Sequence, residues 1–318
     1  DKELTRGKCK VAWTNVCKPV TYGGLGIVDL QRFGRALRLR WLWYAWDSRA
    51  RPWAGLQLLV DKDDIALFNA ATSVGQALAV AYPALYKHSK RKNRSVKEAI
   101  TDNKWVADVD YSMTEPVIRE FAACWVRLQG TVLRPEVDDK ITWTHTVDGQ
   151  YSARSAYKLQ FVGMSTDPVA KYTWSTKAPP KCRFFIWLLL QNRIWTAARL
   201  LIRGWPNDYF CCLCIRNLET ADHLFMECNF SLQVWDRIAT WIREPLMAPA
   251  NWRLTHDLRL WYLDLSIGAS PIRREGVRSM IMLVSWEIWK KRNNRVFNRK
   301  YNSCVQIFRA IQEEAKVW

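Results

Sequence analysis

Residues 211–228 read CCLCIRNLETADHLFMEC, eighteen residues that hold four of the chain's nine cysteines and one of its four histidines. Their spacing, Cys211-x2-Cys214-x8-His223-x4-Cys228, is that of a four-coordinate zinc site. A CxxC pair gives two thiolates from one tight turn, and a His and a Cys on a second element complete a tetrahedron. Thr220, three residues before His223, is placed to cap a short helix with His223 in its first turn and Cys228 just beyond. Cys212 is the alternative to Cys211 as first ligand, although Cys212 and Cys214 have only one residue between them, which strains a chelating turn. All four positions are filled by protein groups, so the centre is closed and no position is left for an activated water.

Helical patterns surround this knuckle. Upstream, KAPPKCRFFIWLLLQNRIWTAARLLIRGWP (177–206) starts a helix at Pro179-Pro180 with Phe184–Leu190 as its buried body. A second helix is capped by Thr196 and ends at Gly204. Downstream, Leu232, Trp235, Ile238 and Trp241 or Ile242 fall on one helical face. The tail from Arg273 is helical and basic, with Met280, Val284, Trp286 and Trp289 as its apolar side. Further upstream, Ile141, Trp143, Asp148-Gly149 and Tyr151 alternate around an Asp-Gly turn and predict a small β-hairpin. Ser152 or Ser155 then caps a helix carrying Tyr157 and Leu159. Near the start, Gly23, Gly24 and Gly26 mark a turn rather than a phosphate cradle, since no P-loop or dinucleotide pattern is present. A helix follows with Leu30, Phe33, Leu37, Trp41 and Tyr44 on one side and Arg32, Arg35 and Arg38 on the other. Residues 61–135 read as mostly helical around the basic interruption 87–97. The fold class is mainly α with a small β-hairpin, a helical bundle-like region around a CCHC zinc knuckle.

The chain's 318 residues carry 48 Lys and Arg against 30 Asp and Glu, a formal charge of +18 that favours polyanions. No apolar window is long enough to span a bilayer, so no membrane partner is expected. The N-terminus lacks a secretory h-region and an initiating Met, as in a piece of something longer. The odd, clustered cysteines suit a reducing compartment better than a disulfide scaffold. Most of the 19 tryptophans are expected in the core.

Five blocks occur in order: CxPxxxGGLGIxxL (Cys17–Leu30), DxIxWxxxxDGxYSxxSAY (Asp139–Tyr157), APPKxxFFIW (Ala178–Trp187), CxxC…ETxDHLFxEC (Cys211–Cys228) and WxIWxxRNxRVF (Trp286–Phe297). On these residues, the first block opening with Trp13 and so running Trp13–Leu30, the chain resembles plant LINE-type (non-LTR) retrotransposon polyproteins, in the reverse-transcriptase zinc-binding region downstream of the polymerase. The resemblance implies one structural zinc ion held by Cys211, Cys214, His223 and Cys228. Cys212 departs from the family's pattern, which usually has a non-cysteine there. It also implies four segments: a post-polymerase connection (1–60), a helical linker (61–138), the zinc-binding domain (139–245) and a basic C-terminal helical region (246–318).

The implied function is non-catalytic: binding nucleic acid, either template RNA or target DNA, beside the polymerase portion of the polyprotein, in the nucleus or cytoplasm. No catalytic residue is expected, because the polymerase's aromatic-Ala-Asp-Asp tetrapeptide is missing and neither an endonuclease set nor an RNase H acidic array is apparent. Arg216 beside the knuckle and Lys290, Lys291, Arg292 and Arg295 in the tail are the candidate phosphate contacts. Exposed Trp or Tyr near the knuckle supplies stacking surfaces for unpaired bases. The alternatives are a remnant of a decayed element serving only as a structural or interaction module, and a residual polymerase or metal-dependent hydrolase.

Overall fold

The computed structural model describes residues 10–47, 82–91, 96–110, 114–129 and 142–317, with 131, 132, 134 and 136. The expected helical stretch between 61 and 81 lies outside the described residues. The chain divides into two compact units, Val28–Gly163 and a second formed by the residues up to Ile27 with those from Met164 onward.

In the first unit, α1 (Leu30–Asp47), α2 (Glu115–Gln129) and α3 (Ala153–Leu159) are the principal helices. Ser152 and Ser155 form a reciprocal capping box at the start of α3, each backbone N–H donating to the other's hydroxyl. α3 packs on α1 through only part of the expected stripe: Phe33 meets the Tyr157 ring and Tyr44 packs against the core, both half-buried. Among the described side chains of α1, Ala36, Leu39 and Trp43 are buried and share a core with Trp143 and Ala156, whereas Leu30, Leu37 and Trp41 are exposed. Two tyrosines select this face. The Tyr157 hydroxyl accepts from the Asp29 N–H at 3.0 Å, and the Tyr151 hydroxyl donates to the Ala36 carbonyl. Tyr151 also stacks on Trp43.

The small β-hairpin does not form, and no strand exists among the described residues, only the isolated bridges Ser89–Val109 and Phe210–Leu218. Around Asp148-Gly149 the chain closes local turns instead. The Trp143 N–H donates to the Gly149 carbonyl, the Gly149 N–H to Thr146, and the Gln150 N–H to the Asp148 carboxylate. These contacts use the groups a ladder needs, so alternation here records one buried Trp beside a Thr- and Asp-stabilised turn.

The second unit contains α4 (Ala170–Trp174), α5 (Pro180–Leu190), α6 (Ala197–Ile202), α7 (Asn229–Ile242), α8 (Leu258–Gly268), α9 (Arg274–Asn298) and α10 (Cys304–Val317). The 25-residue α9 runs through the bundle and packs against α5, α8 and α10. That position explains its burial: Val277, the run Ile281–Ser285 and Ile288 are all buried, far more than one stripe. Fewer tryptophans are buried than expected: five of the described ones are, while Trp13, Trp41, Trp205 and Trp241 are exposed. At the centre Trp235, Trp252 and Trp261 meet edge to face with centroids 5.4–5.8 Å apart. The fully buried Trp235 donates its indole N–H to the Phe225 carbonyl at 3.0 Å.

The Gly23-Gly24 turn belongs to this unit as well. Gly23 has φ +81°, and a Cβ on Gly24 would lie 2.0 Å from the Lys18 carbonyl oxygen. The turn is held by the Trp187 indole, which donates to the Gly23 carbonyl at 2.8 Å. No helix among the described residues is long and apolar enough to cross a membrane.

Candidate metal centre

The CxxC half of the site is a tight turn in a loop whose arms are pinned by the Phe210–Leu218 bridge. Within it the Cys211 N–H donates to the Asn217 carbonyl at 2.7 Å and the Ile215 N–H to the Cys211 carbonyl at 2.7 Å. Ile215 adopts φ +57°, a left-handed conformation that reverses the chain just after Cys214.

The second half is built differently from the expected helical first turn. Thr220 does act as foreseen, its hydroxyl accepting from the His223 N–H at 3.0 Å. The segment His223–Glu227, however, is a single π-turn, closed by the Cys228 N–H donating to the His223 carbonyl at 2.7 Å. This is why a His-x4-Cys spacing works. Five residues turn an α-helix through about 500°, leaving the two side chains about 140° apart. The wider i→i+5 turn brings both to one side, a use of π-turns common at functional sites. Cys228 then serves as the N-cap residue of α7.

Folding thus gathers Cys211, Cys214, His223 and Cys228 into one cluster, with all four ligand atoms within 4.8 Å of one another. The Cys211 and Cys228 sulfurs are 3.8 Å apart, and Cys214 Sγ is 3.3 Å from His223 Nε2. Metal–sulfur bonds of about 2.3 Å in a tetrahedron set sulfur–sulfur edges of about 3.8 Å, which is the Cys211–Cys228 separation. Cys212 is not in the cluster. Its thiol is directed at the Arg292 carbonyl, 3.8 Å away, and burial pushes its pKa up to about 11.

The electrostatics suit a cation. The Cys211 sulfur, with help from His223 and the first backbone N–H groups of α7, holds the Cys228 thiol well below the usual thiol range. Cys211 is pushed upward by the Cys228 sulfur and by burial. His223 is raised chiefly by the Cys228 sulfur, with Cys214 adding to the effect and burial opposing it. With Nε2 toward the cluster, His223 Nδ1 lies 3.8 Å from a Glu227 carboxylate oxygen and 3.5 Å from the Asn217 amide. Both are placed to orient the imidazole behind a metal.

Glu219, not singled out by spacing, organises the surroundings. Its carboxylate is 1% exposed and accepts from the Ala197 N–H at 2.9 Å, thereby capping α6. Thr196 occupies the cap position but makes no side-chain cap bond. The same carboxylate receives Arg292: Nε lies 3.0 and 3.1 Å from its two oxygens, and Nη2 lies 2.6 Å from Oε1. Three residues on, Arg295 Nη1 donates to the Cys212 and Leu213 carbonyls at 2.7 and 3.1 Å. The RNxR part of α9 is therefore a clamp on the zinc loop, with Arg292 gripping one arm and Arg295 the CxxC turn.

The candidate phosphate contacts consequently separate. Arg292 and Lys291 are built into the fold, 4% and 3% exposed, and Lys291 donates to the Lys300 carbonyl. Arg295 is half-buried between the loop carbonyls and the rings of Phe230 and Tyr301. Lys290 pairs with Glu287 at 2.6 Å. Arg216 is exposed at the tip of the loop.

Residues 151–235, which include all four cluster residues, match a known family model. The family is zinc-binding in reverse transcriptase. Together with the geometry, this matched zinc-binding stretch fits one structural zinc ion. The chain is also 20% identical to an Arabidopsis thaliana protein provisionally named a ribonuclease H protein, over 96% of this chain and 55% of that one. It thus spans about half the length of the curated relative it matches. No solved structure matches the chain.

Proposed function

We propose that the chain is the non-catalytic, zinc-stabilised, nucleic-acid-binding C-terminal region of a plant LINE-type reverse-transcriptase polyprotein. In this reading it holds template RNA or target DNA beside the polymerase portion, in the nucleus or cytoplasm, with 139–245 as its zinc-binding domain. The observation that carries it is the closed Cys211–Cys214–His223–Cys228 cluster inside the stretch matched by a reverse-transcriptase family. Four protein ligands satisfy a tetrahedral zinc ion and leave no coordination position for a water nucleophile. The net charge of +18 supports a polyanionic partner through sequence-independent phosphate attraction.

Two measurements test this. The purified chain should contain one zinc per molecule, and chelation should loosen the second unit. Affinity for RNA and DNA should fall steeply with salt. A metal-free protein of unchanged stability, or affinity insensitive to salt, defeats the reading. The resemblance to a relative bearing a ribonuclease H name makes an RNA–DNA hybrid cleavage assay the proper control, with no cleavage expected.

A further inference from the structure

The clamp and contacts nearby engage Lys290, Lys291, Arg292 and Arg295 of α9, and the strongest exposed feature left lies on the zinc loop and the end of α6. Seven large apolar side chains between Leu201 and Leu218 are exposed, on the end of α6 and the arms of the zinc loop. Single exposed hydrophobes are ordinary, but a run of this length marks a surface made to be covered. Its chemistry is aromatic and cationic. Trp205 is 54% exposed, yet its ring is held in place, stacked on Trp195 with centroids 5.4 Å apart and planes 25° from parallel. The Arg203 guanidinium lies 5.6 Å from the Trp195 ring centre. Tyr209 and Phe210 stand exposed on the adjoining arm, which the Glu219 N–H ties in place by donating to the Tyr209 carbonyl. Between Arg193 and Leu218 the chain has four arginines and one acid, Asp208.

We propose that this face is a binding platform for single-stranded nucleic acid, with Trp205 and Phe210 as base-stacking rings and Arg203 and Arg216 as phosphate contacts. The proposal rests on the nucleic-acid reading above and deepens it by naming the strand state and the residues. Rigid, exposed rings interleaved with arginine are the arrangement that captures unpaired bases without sequence preference. A duplex hides its base faces and offers such rings nothing. Glu219 links the two parts: its N–H holds the Tyr209 carbonyl beside Phe210, and its carboxylate holds the Ala197 N–H two residues from Trp195.

The test is fluorescence anisotropy with labelled oligothymidylate and oligouridylate of about twenty nucleotides, longer than one platform needs, and a duplex of equal length. The full chain is compared with Trp205→Ala, Phe210→Ala and Arg203→Ala. All three side chains are exposed, and zinc content and helicity are checked for each variant. The ring variants should each weaken single-strand binding by on the order of tenfold while duplex affinity stays unchanged, and Trp205→Tyr should recover most of the loss. Unaltered single-strand affinity in both ring variants overturns the platform and leaves salt-dependent nucleic-acid binding standing. Failure of the parent chain to bind any of the three probes overturns both. Ring variants that change only self-association, measured by sedimentation, identify a protein-facing surface and also overturn it.

Discussion

Replacing Arg292 by Met removes every cationic partner of Glu219 described above, while the side-chain stem still fills its space. The carboxylate is 1% exposed and keeps only the Ala197 N–H as a hydrogen-bond donor. Three short contacts of 2.6–3.1 Å are lost at once. Adding them as independent bonds overstates the effect, because forming the pair already cost the desolvation of both ions. The relevant quantity is the penalty of leaving one charge buried alone, about 3–5 kcal/mol. The double variant Glu219→Gln/Arg292→Met abolishes the charge and keeps an amide oxygen for Ala197, so it should lie within about 1 kcal/mol of the parent. Glu219→Gln alone leaves the Arg292 guanidinium buried without its counter-charge and should cost a similar amount, so the two single costs together should exceed the cost of the double variant by several kcal/mol. Urea denaturation of the four proteins of this cycle, with zinc saturating, measures this excess. The same clamp orients the ligand loop, so Arg292→Met should also weaken zinc by roughly 10–100-fold in competition with a chromophoric chelator. A single-variant cost below about 1 kcal/mol, the value of a solvent-exposed pair, would refute the reasoning.

Cys211→Ser should abolish stoichiometric zinc, whereas Cys212→Ser should retain it, as read by elemental analysis of the purified proteins. Gly24→Ala drives a Cβ to 2.0 Å from the Lys18 carbonyl and should lower stability by about 2 kcal/mol or more. Gly276→Ala, in the first turn of α9 with open space around it, should raise stability by up to about 1 kcal/mol in the same denaturation assay. Burial pushes Cys182 up to about 11 and Tyr262 up to about 12, from ordinary values of 9.0 and 10.0. Both groups favour the protonated native state, so their contribution is complete below pH 9.0 and is lost as pH rises through about 11 and 12. The urea midpoint should therefore decline progressively above pH 9.0, and a flat profile there contradicts the burial of these groups.

The helices α3 and α5 were legible because their signals are local. Pro180 opens α5, apolar residues fill its body, and the Ser152/Ser155 box marks α3. The ligand set was legible for the same reason, since all four residues lie within eighteen positions. What escaped depends on partners far away in sequence. The buried face of α1 is chosen by Tyr151 and Tyr157, more than a hundred residues on. Arg292 and Arg295 read as surface charge because Glu219 and the Cys212 carbonyl, 73 and 83 positions upstream, are invisible to periodicity. The hairpin pattern misled because Thr146 and Asp148 hydrogen-bond to the backbone locally, and alternation carries no record of that competition. A trace of the clamp was present all the same, in an acid directly before the capping Thr220 and in two arginines three apart.

The π-turn sets unequal tolerances to length change on the two sides of His223. Between Cys214 and His223 the chain passes through Ile215, Arg216, Asn217 and Leu218, all exposed. An added residue there lengthens a solvated tip and need not move a ligand. Between His223 and Cys228 there is no such slack, because one hydrogen bond closes the turn and α7 begins at the next residue. Deleting a single residue restores an ordinary helical turn, swings the last thiol by about 100° and carries α7 round with it. Among homologous sequences the first gap is therefore free to drift in length, and the second is a ruler against which the alignment of this family can be set.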